Sequence, residues 1–138
     1  MITEKEVKIK MSTHETPEKI TQLPPEGDIN FDLVLEEKEN EFSVSGWAAI
    51  KNQDATESEI FIVLRNDQLI YRFTTQPSLR PDVTASFKSK FKLDNSGYTA
   101  KVLNQNVERG RYEIGILIKD KKRNVELLKL TGKQLRIQ

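Results

Sequence analysis

The sequence predicts an all-β protein built from two packed antiparallel sheets. From residue 29 onward apolar and polar residues alternate with a period of two, which is the pattern of half-buried strands. Turns rich in Asn, Asp and Gly separate these runs into eight or nine short strands. No segment has the period of an amphipathic helix of useful length. These three observations favour an all-β fold.

The first 28 residues differ from the rest and are predicted to be a polar arm or linker, with the sandwich domain spanning residues 29–138. Residues 13–28 contain three prolines and one glycine and almost no apolar side chain to bury. Whether the arm is ordered stays open here. In residues 7–11 apolar side chains alternate with lysines, so pairing at a sheet edge is an alternative for that stretch.

The first two predicted strands flank an acidic turn. Residues 29–35 alternate apolar and polar side chains, residues 36–41 turn the chain, and residues 42–50 resume the alternation. The polar run 51–57 then leads to the next strand pair.

A hairpin is predicted over residues 58–75. Residues 60–64 form its first strand, and residues 69–73 return as the second. Between them Asn66-Asp67 supplies a tight turn, because these residue types tolerate positive φ. Residues 76–82, with two prolines, are expected to cross to another element.

The C-terminal half supplies the remaining strands. The lysine-rich residues 87–93 are expected to form an extended edge strand, because lysines discourage edge-to-edge pairing. Turns at Arg109-Gly110 and at residues 120–124 separate the later apolar runs. These runs cover residues 98–102, 112–118, 125–127 and 135–137.

Hairpins with one apolar face each must bury those faces against one another. A two-sheet sandwich of immunoglobulin or fibronectin type is therefore the predicted architecture. A closed barrel is the alternative.

Composition excludes several chemistries. The chain has 22 basic and 21 acidic residues, and a net charge of +1 argues against a dedicated nucleic-acid binder. No cysteine and one histidine, His14, exclude thiolate sites and multi-histidine metal clusters. His14 lies in the polar arm and is expected to be solvated, so we expect neither an enzyme nor a cofactor. No secretory leader or membrane span is present in the sequence, so membrane attachment requires a further segment.

Five residues are candidates for a ligand surface. Trp47 lies on the opposite parity from the core residues of its strand, where it either stacks on a ligand or packs beneath a loop or the arm. In Arg80-Pro81-Asp82-Val83 the arginine and the aspartate favour a locked crossover loop over a ligand site. The full set of candidates is Trp47, Tyr71, Arg72, Arg80 and Arg111.

Charge is uneven along the chain. Residues 29–100 hold eight basic and eleven acidic side chains, whereas residues 101–138 hold ten basic and four acidic ones. Part of this excess is on one turn, as Lys119, Lys121, Lys122 and Arg123. We expect this turn either to contact an anionic partner or to serve only as a solubilising surface.

The order of five short motifs resembles a bacterial immunoglobulin-like accessory module. The motifs are Gly46-Trp47-Ala48, the hairpin at residues 60–71, Arg80-Pro81-Asp82-Val83, Ser96-Gly97-Tyr98 and Gly110-Arg111-Tyr112-Glu113-Ile114. The resemblance covers about residues 29–138. Modules of this group are attached to cell-envelope glycosyltransferases and to membrane proteins of surface-polymer assembly.

The resemblance implies a noncatalytic domain that binds or positions a surface glycan, an anionic polymer or another domain of its parent protein. An extracytoplasmic, envelope-associated location follows from it, with a cytoplasmic one as the alternative. A structural spacer or oligomerisation element, with the arm adding a strand to a neighbour, is the rival function.

Overall fold

The computed structural model describes residues 14–88 and 90–138, and within them nine strands form two antiparallel sheets. The strands are β1 (Glu18–Lys19), β2 (Ile29–Glu37), β3 (Glu41–Ile50), β4 (Ser58–Arg65), β5 (Ile70–Thr74), β6 (Gln76–Ser78), β7 (Gly97–Leu103), β8 (Gly110–Asp120) and β9 (Val125–Ile137). The described helices are α1 (Pro81–Ser86) and two 3₁₀ turns, Asp94–Ser96 and Asn104–Asn106. No helix among the described residues is long and apolar enough to cross a membrane.

The strand order confirms the predicted sandwich. One sheet runs β1-β5-β4-β8-β9 and the other β2-β3-β7-β6. When β1 is set aside, β2 and β3 lie in one sheet with β7 and β6, and β4, β8 and β9 lie in the other. An immunoglobulin constant-type domain divides its strands between two sheets in the same way. The strand β5 pairs with β4 in the five-stranded sheet. This β4–β5 pair is the hairpin that was expected over residues 58–75.

The main core lies between the two sheets. Alternate residues of each strand point inward, and burying each large aliphatic or aromatic side chain contributes about 1.5–3 kcal/mol. Its largest fully buried members are Leu33, Phe42, Ile62, Leu64, Phe73, Tyr98, Tyr112, Ile114, Ile116, Ile118 and Leu135.

One position in β3 depends on glycine. Gly46 has φ +151°, and a Cβ there would lie 2.1 Å from the Asp32 carbonyl oxygen on β2. Tyr98 donates its hydroxyl to the same carbonyl at 2.9 Å. The glycine of the Gly46-Trp47 motif is therefore required by the close approach of β2 to β3.

The outer face of the five-stranded sheet is also apolar. Phe61, Val63, Leu117 and Leu128 are all buried there, although they have the opposite parity from the main core. Alternation alone does not predict this second layer, because β4 and β8 are apolar on both faces near their centres.

The described part of the arm covers this outer face. The arm first meets β7, where the Glu15 amide donates to the Lys101 carbonyl at 2.7 Å, and β1 then pairs with β5. Leu23 packs against the outer apolar cluster, and Leu128 of β9 donates to Pro25 at 2.9 Å. Without β1, the edge strands of the five-stranded sheet are β5 and β9, and residues 14–28 contact both of them. The edge strand considered for residues 7–11 lies outside the described residues.

The expected edge strand at residues 87–93 is wrong. Pro81 occupies the first turn of α1, where its missing N–H is not needed. The chain then turns back at residues 87–93 so that Val83, Phe87 and Leu93 pack in a small separate core with Ala49. Tertiary burial of these side chains takes precedence over strand pairing. The preceding crossover contains an unpredicted strand, β6, at the sheet edge.

Candidate functional site

Trp47 packs against the segment that starts with α1. Its ring is half-buried and meets Phe87 edge to face, with ring centroids 5.9 Å apart. Val83 and Leu93 complete the same cluster. The structure therefore shows the packing alternative for Trp47.

Tyr71 is a core residue. It is 3% exposed, and its ring meets Tyr112 edge to face at 5.9 Å. Its hydroxyl accepts a hydrogen bond from the Glu108 amide at 3.1 Å. Because both faces of the ring are covered, the expectation that Tyr71 stacks on a ligand has to be corrected: it holds the segment before β8.

Arg72 and Arg80 each have an acidic partner. Arg72 donates to Glu18 of β1 at 3.1 and 2.7 Å, and its guanidinium lies 4.8 Å from the Phe61 ring centroid. Arg80 makes a bidentate pair with Asp82, both distances being 2.9 Å. These hydrogen bonds from Arg80 lower the pKa of Asp82. Arg72 thus fastens the arm, and Arg80 closes the loop before α1.

The basic turn, defined as Lys119, Lys121, Lys122 and Arg123, is partly neutralised. Lys121 pairs with Glu59 at 2.8 Å, and Arg123 pairs with Asp120 at 2.6 Å. In the sheet register Lys119 lies opposite both Glu59 and Glu126.

Asp120 organises this turn. It is 2% exposed and accepts hydrogen bonds from the backbone amides of Lys122 at 3.0 Å and Arg123 at 3.2 Å. Burial opposes ionisation of this carboxyl group, but the Arg123 side chain and the two amides outweigh burial and lower its pKa. The cations here therefore stabilise an internal carboxylate.

The opposite end of β8 and β9 carries three unpaired arginines. Arg109, Arg111 and Arg136 are exposed, and none forms an ion pair within 4.0 Å in the described part of the chain. Arg111 and Arg136 are direct cross-strand neighbours on the outer face. Like charges in this position repel, because directly opposed Cβ atoms lie about 4.5–5.5 Å apart. We call Arg109, Arg111 and Arg136 the arginine end.

Two tyrosines hold the backbone of the arginine end. Tyr112 donates its hydroxyl to the Glu108 carbonyl at 2.7 Å, the arrangement of a tyrosine corner at the start of this strand. The Tyr71 hydroxyl receives the amide of the same residue. Gly110 follows with φ +152°, a conformation that favours glycine. Arg109 and Arg111 therefore extend from a firmly held corner.

Shallow clefts surround the arginine end. One of about 590 Å³ is lined by the three arginines, Gly110 and the last two residues. A second, of about 320 Å³, lies between Arg136 and the acidic turn that joins β2 to β3. A third, of about 690 Å³, is lined by Arg109, Glu108, Glu39 and the residues around Asn104. The three clefts are neighbours, because Ile137 and Gln138 line all of them.

Within residues 14–88 and 90–138, no three or more His, Asp or Glu side chains form a metal site. His14 lies 3.7 Å from Glu41 of β3, where the arm begins.

Of the predicted ligand residues, only Arg111 lies at the arginine end. Arg109 and Arg136 were not predicted. The sequence contained a signal for an exposed position at Arg111 and Arg136, because each is next to a core residue of its strand. Arg111 precedes Tyr112, and Arg136 follows Leu135 on the adjacent strand. Only the register shows that they are opposite each other.

Comparisons of the chain with protein-family models, with curated proteins and with solved structures found no match. The class of protein defined here is therefore that of its fold, an immunoglobulin-like β-sandwich.

Proposed function

We propose that this chain is a noncatalytic binding module that holds an anionic polymer of the bacterial cell envelope at the arginine end. The observation that carries the proposal is the direct opposition of Arg111 and Arg136, neither of which forms an ion pair with a carboxylate within 4.0 Å in the part of the chain that the structure describes. Guanidinium groups bind phosphate and carboxylate groups through paired N–H donors. Two of them side by side match a repeating anion better than a single lysine does.

The repulsion between these arginines supports a binding role. A like-charged cross-strand pair destabilises a sheet, and a bound anion removes that penalty. The basic turn offers less, because at least two of its four cations are already paired within the chain. The envelope setting rests on the motif resemblance, as does an extracytoplasmic location.

The test compares two variants that each remove two positive charges. Arg111→Gln/Arg136→Gln changes the arginine end, and Lys119→Gln/Lys122→Gln changes the basic turn. The probes are poly(glycerol phosphate) and neutral dextran, with binding measured by calorimetry at two salt concentrations. We expect the arginine variant to bind poly(glycerol phosphate) at least about tenfold more weakly, and the lysine variant about twofold more weakly.

Equal losses in the two variants would show unspecific charge attraction and would contradict the proposed site. Absence of poly(glycerol phosphate) binding by the wild-type protein would contradict the function itself. Dextran binding that both variants retain would indicate a neutral glycan site elsewhere, against the proposal.

A further inference from the structure

The clefts at the arginine end bring opposite charges together without pairing them. The β2–β3 turn, residues 36–41, contains four glutamates and one lysine. Three of these glutamates, Glu37, Glu39 and Glu41, and the lysine, Lys38, line the same cleft as Arg136, so the wall that the turn forms is acidic overall. Glu39 also lines the neighbouring cleft with Arg109.

No ion pair within 4.0 Å joins these glutamates to Arg109 or Arg136 among the described residues. Exposed ion pairs contribute little to stability, so these charges remain available to a ligand at little cost. Both kinds of charge line the same clefts, which have volumes of about 320 Å³ and 690 Å³. A ligand that fills such a cleft meets a cationic wall and an anionic wall at once.

The anionic wall is held in place. The Lys38 amide donates to the Glu41 carbonyl at 2.8 Å, which closes the turn. The Asn104 amide donates to the Asn40 carbonyl at 2.9 Å, and the Asn104 side chain donates to the Glu39 carbonyl at 3.4 Å. The side-chain oxygen of Asn104 is buried without a hydrogen-bond donor, beside the same clefts.

We propose that the ligand of this end is dipolar, carrying an anionic group for the arginines and an ammonium group for the acidic turn a few bonds away. This inference rests on the proposed function and narrows it: the polymer repeat carries both charges instead of phosphate alone. Glu39 is the residue that selects for the ammonium group, because it lines both clefts. Arg136 is its counterpart for the anion.

The experiment titrates the protein with O-phosphoethanolamine, inorganic phosphate and ethanolamine and follows backbone amide shifts by NMR. The wild-type protein should bind O-phosphoethanolamine about threefold more tightly than phosphate, the gain expected from one further exposed charge contact. Glu39→Gln should make the two affinities equal. Arg136→Gln should weaken both by a similar factor.

Glu126→Gln is the matched control, because it removes an exposed carboxylate beside the basic turn. It should leave the affinity ratio unchanged. Equal binding of phosphate and O-phosphoethanolamine by the wild-type protein, or a ratio that Glu39→Gln does not change, overturns the dipolar ligand while leaving anion binding in place. Binding of neither phosphate nor O-phosphoethanolamine overturns the proposed function as well.

Discussion

The turn between β8 and β9 and the opposite end of the same two strands both present basic side chains. They lie about 27 Å apart, at about 3.4 Å per residue of β8. At the basic turn, Lys121 and Arg123 are paired with Glu59 and Asp120. At the arginine end, Arg111 faces Arg136. A count of charges along the sequence ranks the basic turn first, whereas in three dimensions two of its four cations are ion-paired and none of the three arginines is, among the described residues.

The largest expected effect on stability is at the basic turn. Asp120→Ala removes the acceptor of two backbone amides and one guanidinium, and we expect the free energy of unfolding to fall by about 2 kcal/mol. Asp120→Asn keeps an oxygen for the two amides and should cost about 1 kcal/mol. Urea unfolding of both variants measures the difference. Equal losses would mean that the amide contacts contribute nothing.

The next effect concerns the corner that holds the arginine end. Tyr112→Phe removes the hydrogen bond to Glu108 and should lower the free energy of unfolding by about 1–1.5 kcal/mol. Tyr98→Phe is the matched control, since its hydroxyl also bonds a backbone carbonyl, that of Asp32. Both variants should lose similar stability, but only Tyr112→Phe should weaken polymer binding. The role assigned to the corner fails if the two variants bind alike.

A pH series separates the ionic part of the basic turn. The folded-state pKa of Asp120 lies below its ordinary value of 3.8, so its ionic stabilisation is complete above that value and is lost as the pH falls through the folded pKa. The stability difference between wild type and Asp120→Asn should be about 1 kcal/mol at neutral pH and decline below about pH 4. Unfolding by urea at each pH measures it, and a difference that stays constant would contradict the ionic account.

The smallest expected changes in the free energy of unfolding have opposite signs at the arginine end and at the basic turn. Arg111→Glu replaces a repulsive cross-strand pair with an attractive one and should raise the free energy of unfolding by about 0.5 kcal/mol, while it weakens polymer binding. Lys119→Glu places a negative charge opposite Glu126 and Glu59 and should lower the free energy of unfolding by a similar amount. Thermal and urea unfolding compare the two. A loss of stability in Arg111→Glu would show that the arginines do not repel.

Much of the fold was predictable from residues alone. The alternation in residues 29–50 and 60–73 and the Asn66 turn correspond to β2, β3 and the β4–β5 hairpin. Residues 87–93 were expected to form an edge strand because they are rich in lysine, which discourages edge-to-edge pairing. They pack instead with Val83 and Trp47 in a separate small core, which is a contact between distant segments.

The candidate site was less predictable. Arg111 was identified from its motif, but Trp47 and Tyr71 are covered by other segments. The position of an aromatic residue in the alternation of a strand does not reveal whether a loop or a second ring covers its side chain. Residues 36–41 were predicted only as an acidic turn, and their position beside Arg136 depends on how the two sheets align.

The sequence by itself determined the all-β class, most of the strands and the β4–β5 hairpin, because the period of apolar residues and the turn residues are local properties. Only the tertiary structure decided that the described part of the arm lies on the outer face of the five-stranded sheet. It also decided that Lys121 and Arg123 of the basic turn are paired, whereas Arg109, Arg111 and Arg136 have no ion pair among the described residues. These outcomes depend on strand register and on contacts between residues far apart in the chain, such as Arg72 with Glu18 and Lys121 with Glu59. Charge pairing depends on distance in space, which a sequence pattern does not contain.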